Sequence, residues 1–149
     1  MSEYAPRKVA NGDVAPSVRR GGEIRALLTP ASVGATDGFS GTITVDPGDF
    51  LSEHYHPYSD KFLYLARGRL TLRIEGEEVE LCPDEALMVR RGQRHRIENR
   101  HDEQALIVYA ICPLAPSPAL GHVDTEPVPN PDAGYPTVHQ VHADGALRP

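Results

Sequence analysis

Between residues 23 and 112, short runs of Val, Ile, Leu, Thr, Phe and Tyr alternate with turn residues, and helical periodicity is nearly absent. That pattern predicts an all-β sandwich or barrel. Nine strands are expected, over 24–28, 39–45, 51–56, 61–66, 69–74, 77–82, 86–89, 95–99 and 104–112. In the fifth, Leu70, Leu72 and Ile74 alternate with Thr71, Arg73 and Glu75, so one face is dry and the other wet. The link Ile74-Glu75-Gly76-Glu77 suits a tight hairpin in which Gly76 takes a positive φ free of a Cβ clash. Residues 1–22 are polar and broken by Pro6, Gly12, Pro16, Gly21 and Gly22, which reads as an extended arm of the kind that reaches a partner subunit. After Cys112, prolines 113, 116, 118, 127, 129, 131 and 136 interrupt almost every possible element, leaving a tail over 113–149 that wraps or dangles. The expected division is therefore an arm (1–22), a barrel (23–112) and a tail (113–149). No internal repeat is present.

A chain of 149 residues fits one domain with one core. Its net charge of −6 and lack of tryptophan leave no basic stripe for a nucleic-acid backbone. No apolar run approaches the roughly 20 residues that cross a bilayer, and the start lacks the apolar stretch of a signal peptide. A soluble, cytoplasmic protein is expected. Cys82 and Cys112 are far apart and form no CxxC pair, which suits a reducing compartment and two buried thiols.

The chemistry concentrates in GDFLSEHYHPYSDKFLYLARG, residues 48–68. His54 and His56 stand two apart on a strand, so both rings point one way with Tyr55 opposite. Downstream, RGQRHRIEN places His95 on a second strand, where a third imidazole would complete a facial triad with positions open for water or substrate. The plainer alternative is a surface pair and a core histidine bonded to backbone.

The glycine-bounded HxH run and the GxxHxxxN ending resemble the two motifs of cupins, whose fold is a double-stranded β-helix, or jelly-roll barrel. The strings GGEIRALLTPASVGATDGFSG, HYHPYSDKFLYLARG, EALMVRRGQRHR and PLAPSPALGHVDTEP further resemble the small single-domain cupins of bacterial aromatic polyketide clusters, the cupin-type polyketide cyclases. The resemblance implies a divalent transition metal (Zn, Ni or Fe) on His54, His56 and His95. It also implies ring closure of an aromatic polyketide intermediate, by aldol condensation and dehydration, in antibiotic biosynthesis. Two other functions fit: a three-histidine oxygenase acting on a polyketide or phenolic substrate, and a non-catalytic polyketide-binding accessory to a synthase.

Departures from the motif carry their own expectations. The motif glutamate would stand seven residues before Gly68, and Lys61 occupies that place. An ammonium cannot coordinate a metal. Asp60 replaces the missing carboxylate only if a bulge shifts the strand register; otherwise the site is three histidines plus water, or holds no metal. Asp84 stands where the second motif usually has glycine and Arg90 where it has proline, yet neither change removes a ligand. Gly92 still permits the turn before His95, and Asn99 can tie down the strand end.

Lys61 and Tyr58 are the candidate catalytic residues. Lys61, if turned into the barrel, would lose pKa and serve as a neutral general base; alternatively its stem follows the wall while its charge reaches water or pairs with Asp60. Tyr58 sits in a turn from which it could reach a ligand. His122 would cap the barrel mouth or hold the tail, while His101, His139 and His142 are expected in solvent. Arg19, Arg20, Arg90, Arg91, Arg94 and Arg96 form two basic clusters that serve as solvated or ion-paired charges, or from which one holds a polyketide carboxylate or enolate through a forked hydrogen bond. A homodimer is expected from an open apolar sheet face and a crossing arm, the alternative being a monomer whose arm folds back.

Overall fold

The computed structural model describes residues 4–141 and 147–148. His142 therefore lies outside the described residues. All nine expected strands form: β1 (Glu23–Leu28), β2 (Phe39–Val45), β3 (Phe50–Tyr55), β4 (Asp60–Arg67), β5 (Leu70–Ile74), β6 (Glu77–Leu81), β7 (Ala86–Val89), β8 (His95–Glu98) and β9 (Ala105–Cys112). Three short strands follow, β10 (Val123–Asp124), β11 (Gln140–Val141) and β12 (Leu147–Arg148), and one short helix, α1 (Pro30–Val33), sits between β1 and β2.

Two five-stranded antiparallel sheets, ordered β1-β2-β9-β4-β7 and β10-β3-β8-β5-β6, enclose the core. Strict alternation builds it: along β9, Ala105, Ile107, Tyr109 and Ile111 point inward while Val108 and Cys112 point out. Ile43, Leu51, Leu63, Leu65, Leu70, Leu72 and Ile97 fill the space between the sheets.

The β5–β6 hairpin closes with Glu75 at φ 49° and Gly76 at φ 82°, both positive, as a two-residue type I′ turn requires. Its outer face is less wet than the alternation implies. Thr71 is buried between cross-strand Glu80 and Glu98, and its hydroxyl donates to Glu80. The cysteines also depart from expectation, for Cys112 is exposed and Cys82 half-buried. Pleat parity turns Cys112 outward, and Cys82 follows the last residue of β6.

Arm and tail meet on this barrel. Ser17 bridges Ile24, Ser52 N donates to Arg20 O at 2.9 Å, and Arg19 Nη1 donates to the carbonyls of Pro131 (2.5 Å) and Ala133 (3.1 Å). The tail wraps: β10 adds to the edge of the second sheet through Val123 opposite Tyr55 and Asp124 opposite His54. No helix among the described residues is long and apolar enough to cross a membrane.

Gly68, between β4 and β5, has φ 82° and would place a Cβ 2.7 Å from Ala105 Cα. Gly76 has the same φ with open space around it. Gly76→Ala should therefore cost about 1 kcal/mol for left-handed backbone alone. Gly68→Ala should cost at least about 2 kcal/mol more, because backbone must shift as well. Urea denaturation of the two variants checks this; equal losses would show that the contact with Ala105 carries no weight.

Candidate metal centre

His54 and His95 are cross-strand partners on β3 and β8. Their convergence depends on an irregularity in that pair. Leu51 faces Ile97 and His54 faces His95, so β3 spends three steps where β8 spends two. In a regular strand Leu51 and His54 would point to opposite faces; the extra residue at Ser52–Glu53 turns both inward. His56, just past the end of β3, returns to the same side, and Gly92 N, in the turn before β8, donates to His56 O at 2.9 Å. Gly92 holds φ 85° there, the conformation anticipated for it.

The three rings lie with centroids 4.3 Å (54–95), 5.0 Å (54–56) and 5.5 Å (56–95) apart. One ligand nitrogen from each falls within 4.8 Å of the other two, and all three residues are buried. Each Nδ1 meets a backbone carbonyl: Ser52 O at 2.9 Å for His54, Gly121 O at 2.9 Å for His56 and Gln93 O at 3.1 Å for His95. A carbonyl can only accept, so each Nδ1 carries the proton and each Nε2 presents a lone pair. Nε2 of His56 and of His95 is buried with no hydrogen-bond partner. Orphaned lone pairs of this kind are expensive unless something binds them. The donor set therefore fits a divalent transition ion.

Electrostatics keep the donors neutral. Burial, then the neighbouring cationic and imidazole groups, holds His54 and His56 well below the usual imidazole range; burial and Lys61 bring His95 to about 3. Neutral imidazole is the metal-binding form.

Lys61 is 3% exposed and turned inward with Leu63 and Leu65. Its pairing with Ile111 and that of its neighbours along β4 runs unbroken from Asp60 to Leu65. No bulge brings Asp60 round to the histidines. The Asp60 carboxylate instead accepts from Arg91 N (3.0 Å) and Nε (3.4 Å), which holds its pKa below the ordinary carboxylate value. Asp60 thus joins neither the histidines nor Lys61, and no ion pair to Lys61 forms among the described residues. The Lys61 ammonium lies 5.9 Å from the centroid of the Tyr109 ring. Burial, then Arg20, brings its pKa down to about 7. Tyr58 is 42% exposed in the turn between β3 and β4, away from the cavity wall.

A cavity of about 100 Å³ opens beside the histidines, walled by Ile24, Phe39, Ile43, Tyr109 and Ile111 from the first sheet. Ser59 and Lys61 add to the wall, and the rest comes from the arm and tail, including Arg20, Leu114, Gly121, His122, Tyr135 and His139. Sequence reasoning missed most of this half. His139, expected in solvent, is buried against the cavity with neither ring nitrogen partnered. His122 packs on Tyr135, their centroids 4.8 Å apart, and burial lowers its pKa to about 4. Among the six clustered arginines, Arg20 is the one that faces the cavity. The sequence signal for this wall was faint: GHVDTEP and PSPALG stand out as strings, but no periodicity locates them against the barrel.

Residues 41–112 match the family model of the cupin domain. The chain is 63% identical over 134 residues to the tetracenomycin polyketide synthase protein TcmJ of Streptomyces glaucescens, covering 90% of each chain. It is 46% identical over 142 residues to the polyketide synthase CurC of Streptomyces cyaneus, covering 94% of this chain and 92% of that one. Among solved structures, a predicted oxalate decarboxylase from Thermotoga maritima superposes with a TM-score of 0.62 at 20% identity, covering 71% of this chain and 98% of the other. KdgF from Halomonas superposes with a TM-score of 0.61 at 18% identity, covering 75% and 97%. At such identities these two likenesses speak for the fold alone. The barrel, its paired histidine strands and the near full-length match to the Streptomyces proteins make this chain a member of the cupin family, among relatives named for polyketide synthases.

Proposed function

We propose that this cupin closes a ring of an aromatic polyketide intermediate with the help of a divalent metal held by His54, His56 and His95. The observation that carries the reading is the convergence of three neutral, buried imidazoles whose Nδ1 atoms are tied to backbone carbonyls. The substrate class is supported by the names of its relatives in Streptomyces. A bound divalent ion would supply Lewis acidity toward a ketone oxygen.

The remaining work falls to the chain. Lys61, with a pKa brought down to about 7, is about half neutral near pH 7 and in that form can accept a proton from a carbon between two carbonyls. That carbon then bonds to a second carbonyl carbon of the same chain, whose oxygen takes up a proton. Loss of that hydroxyl together with the remaining α proton, as one water, leaves the new double bond. Ile24, Ile43 and Ile111 keep solvent out, and the narrow cavity favours a folded substrate over an extended one. Tyr58, lying outside the cavity wall, has at most a role at the entrance. Among the described residues no carboxylate joins the three histidines, which favours one rival, a polyketide-binding accessory without turnover.

A homodimer is part of the same proposal. Phe62, Tyr64, Met88 and Val108 are exposed on the outer face of β4, β7 and β9, and the register sets Phe62 beside Met88 and Tyr64 beside Val108. Such a patch suits a second copy.

In a reconstituted synthase, stripping the metal with a chelator should reduce the correctly cyclised product at least tenfold, and adding back zinc, nickel or ferrous iron in turn should identify the active ion. An unchanged product distribution would support the accessory reading instead. Lys61 has an independent readout in metal-free protein. A pKa lowered from 10.5 to about 7 means that the unfolded chain binds the extra proton between those values, so stability rises with pH across that window. Lys61→Met should therefore be more stable than the parent by roughly 2–4 kcal/mol at pH 7 and below, with the gain vanishing near pH 10.5. A gain independent of pH would mean the amine is not neutralised by folding. For the dimer, sedimentation of Phe62→Glu should show a monomer where the parent sediments as a pair.

A further inference from the structure

In a chain with 21 acidic residues and a net charge of −6, no Asp or Glu among the described residues lines the cavity beside the histidines. Two cations do. Lys61 is 3% exposed and has no acidic partner among the described residues, and Arg20 is 7% exposed. Arg20 spends Nε on Asp124 Oδ1 at 3.1 Å, while its Nη2 is buried without a partner. The neighbouring Arg19 also leaves one buried nitrogen, Nε, without a partner, but its Nη1 is committed to the Pro131 and Ala133 carbonyls, Tyr135 covers it at 4.5 Å, and it does not line the cavity.

Asp124 needs only one N–H from Arg20, and a lysine would serve a single ion pair equally well. A buried guanidinium donor left over on a residue that lines a cavity also holding the unpaired Lys61 is unfavourable unless a ligand completes it. We propose that the cavity takes a ligand bearing an anionic pair of oxygens, a carboxylate or an ionised 1,3-dicarbonyl, and that Arg20 is the residue that receives it. This deepens the polyketide reading and rests on it for the ligand's aromatic class. Arg20 then sets which end of the ligand enters first, placing the neutral part against the apolar wall.

Binding by the full-length protein, metal-loaded and chelator-treated, tests the assignment through ligand fluorescence, which is readable against a chain that lacks tryptophan. The probes are 3-hydroxy-2-naphthoate against its methyl ester, and 2-acetyl-1-tetralone, which can ionise between its two carbonyls, against 2-ethyl-1-tetralone. In chelator-treated parent protein, at least one ionisable probe should bind tenfold or more tightly than its neutral twin, and the pair that discriminates names the anion. Arg20→Gln should bring that pair within threefold while leaving the neutral probe's affinity in place; Arg20→Lys should retain part of the preference. Asp124→Asn, which releases the guanidinium from its acid, should strengthen it. Equal binding within both pairs by the parent, a preference that survives Arg20→Gln, or loss of the neutral probe along with the anionic one would overturn the assignment, the last by showing a structural strut. The cyclisation assay fails separately: chelator-sensitive product without anion preference removes this inference alone, and anion preference with chelator-indifferent product removes the reaction alone.

Discussion

One surplus residue in β3 governs the site. Without the irregularity at Ser52–Glu53, pleat parity would bury either Leu51 or His54 but never both, and the core and the ligand set would compete for the same face. With it, Leu51 stays against Ile97 in the core while His54 comes into line with His95. The pairing to β8 then carries the alignment forward, and the Gly92 turn locks His56 to the same strand connection. Bulges beside functional sites commonly re-aim a side chain in this way.

The electrostatic character of the cavity follows from what its walls exclude. Three imidazoles tolerate burial because they are neutral and their Nδ1 protons are spent on carbonyls. Lys61 and Arg20 are harder to bury, and the fold keeps both. Acidic residues are plentiful elsewhere, many of them engaged with arginines on the outer surface: Glu98 with Arg96 and Arg100, Asp60 with Arg91. Among the described residues the cavity wall carries Lys61 and Arg20 and no carboxylate, and Asp124 pairs with Arg20.

The strand positions were readable because alternation and turn chemistry are local: β2 and β7 coincide with the expected ranges, and the other seven differ by a residue at one or both ends. The histidine trio was readable because two short spacings sufficed. The identity of the bulge is harder to read, although Leu51 and His54 being out of phase is visible in the sequence; the missing motif carboxylate points instead to a slip at Asp60, where the strand is regular. Cavity residues from the tail were hidden for a different reason. A proline-rich segment has no period, so the burial of His139 and the approach of Gly121 to His56 depend on long-range contacts that no local pattern announces. Arg20 could be named only as one of six.

Gly121 O, the acceptor that orients the His56 ring, belongs to the segment that also walls the cavity. Cover and coordination are in that sense a single mechanical part. If the cavity and the histidines are used as proposed, an excursion of this segment wide enough to let a bulky molecule out would also unfasten the His56 imidazole, setting release against firmness of the three-histidine cluster. A tightly clasped tail would favour long occupancy of the cavity, whereas a loose one would leave the His56 ring less firmly held.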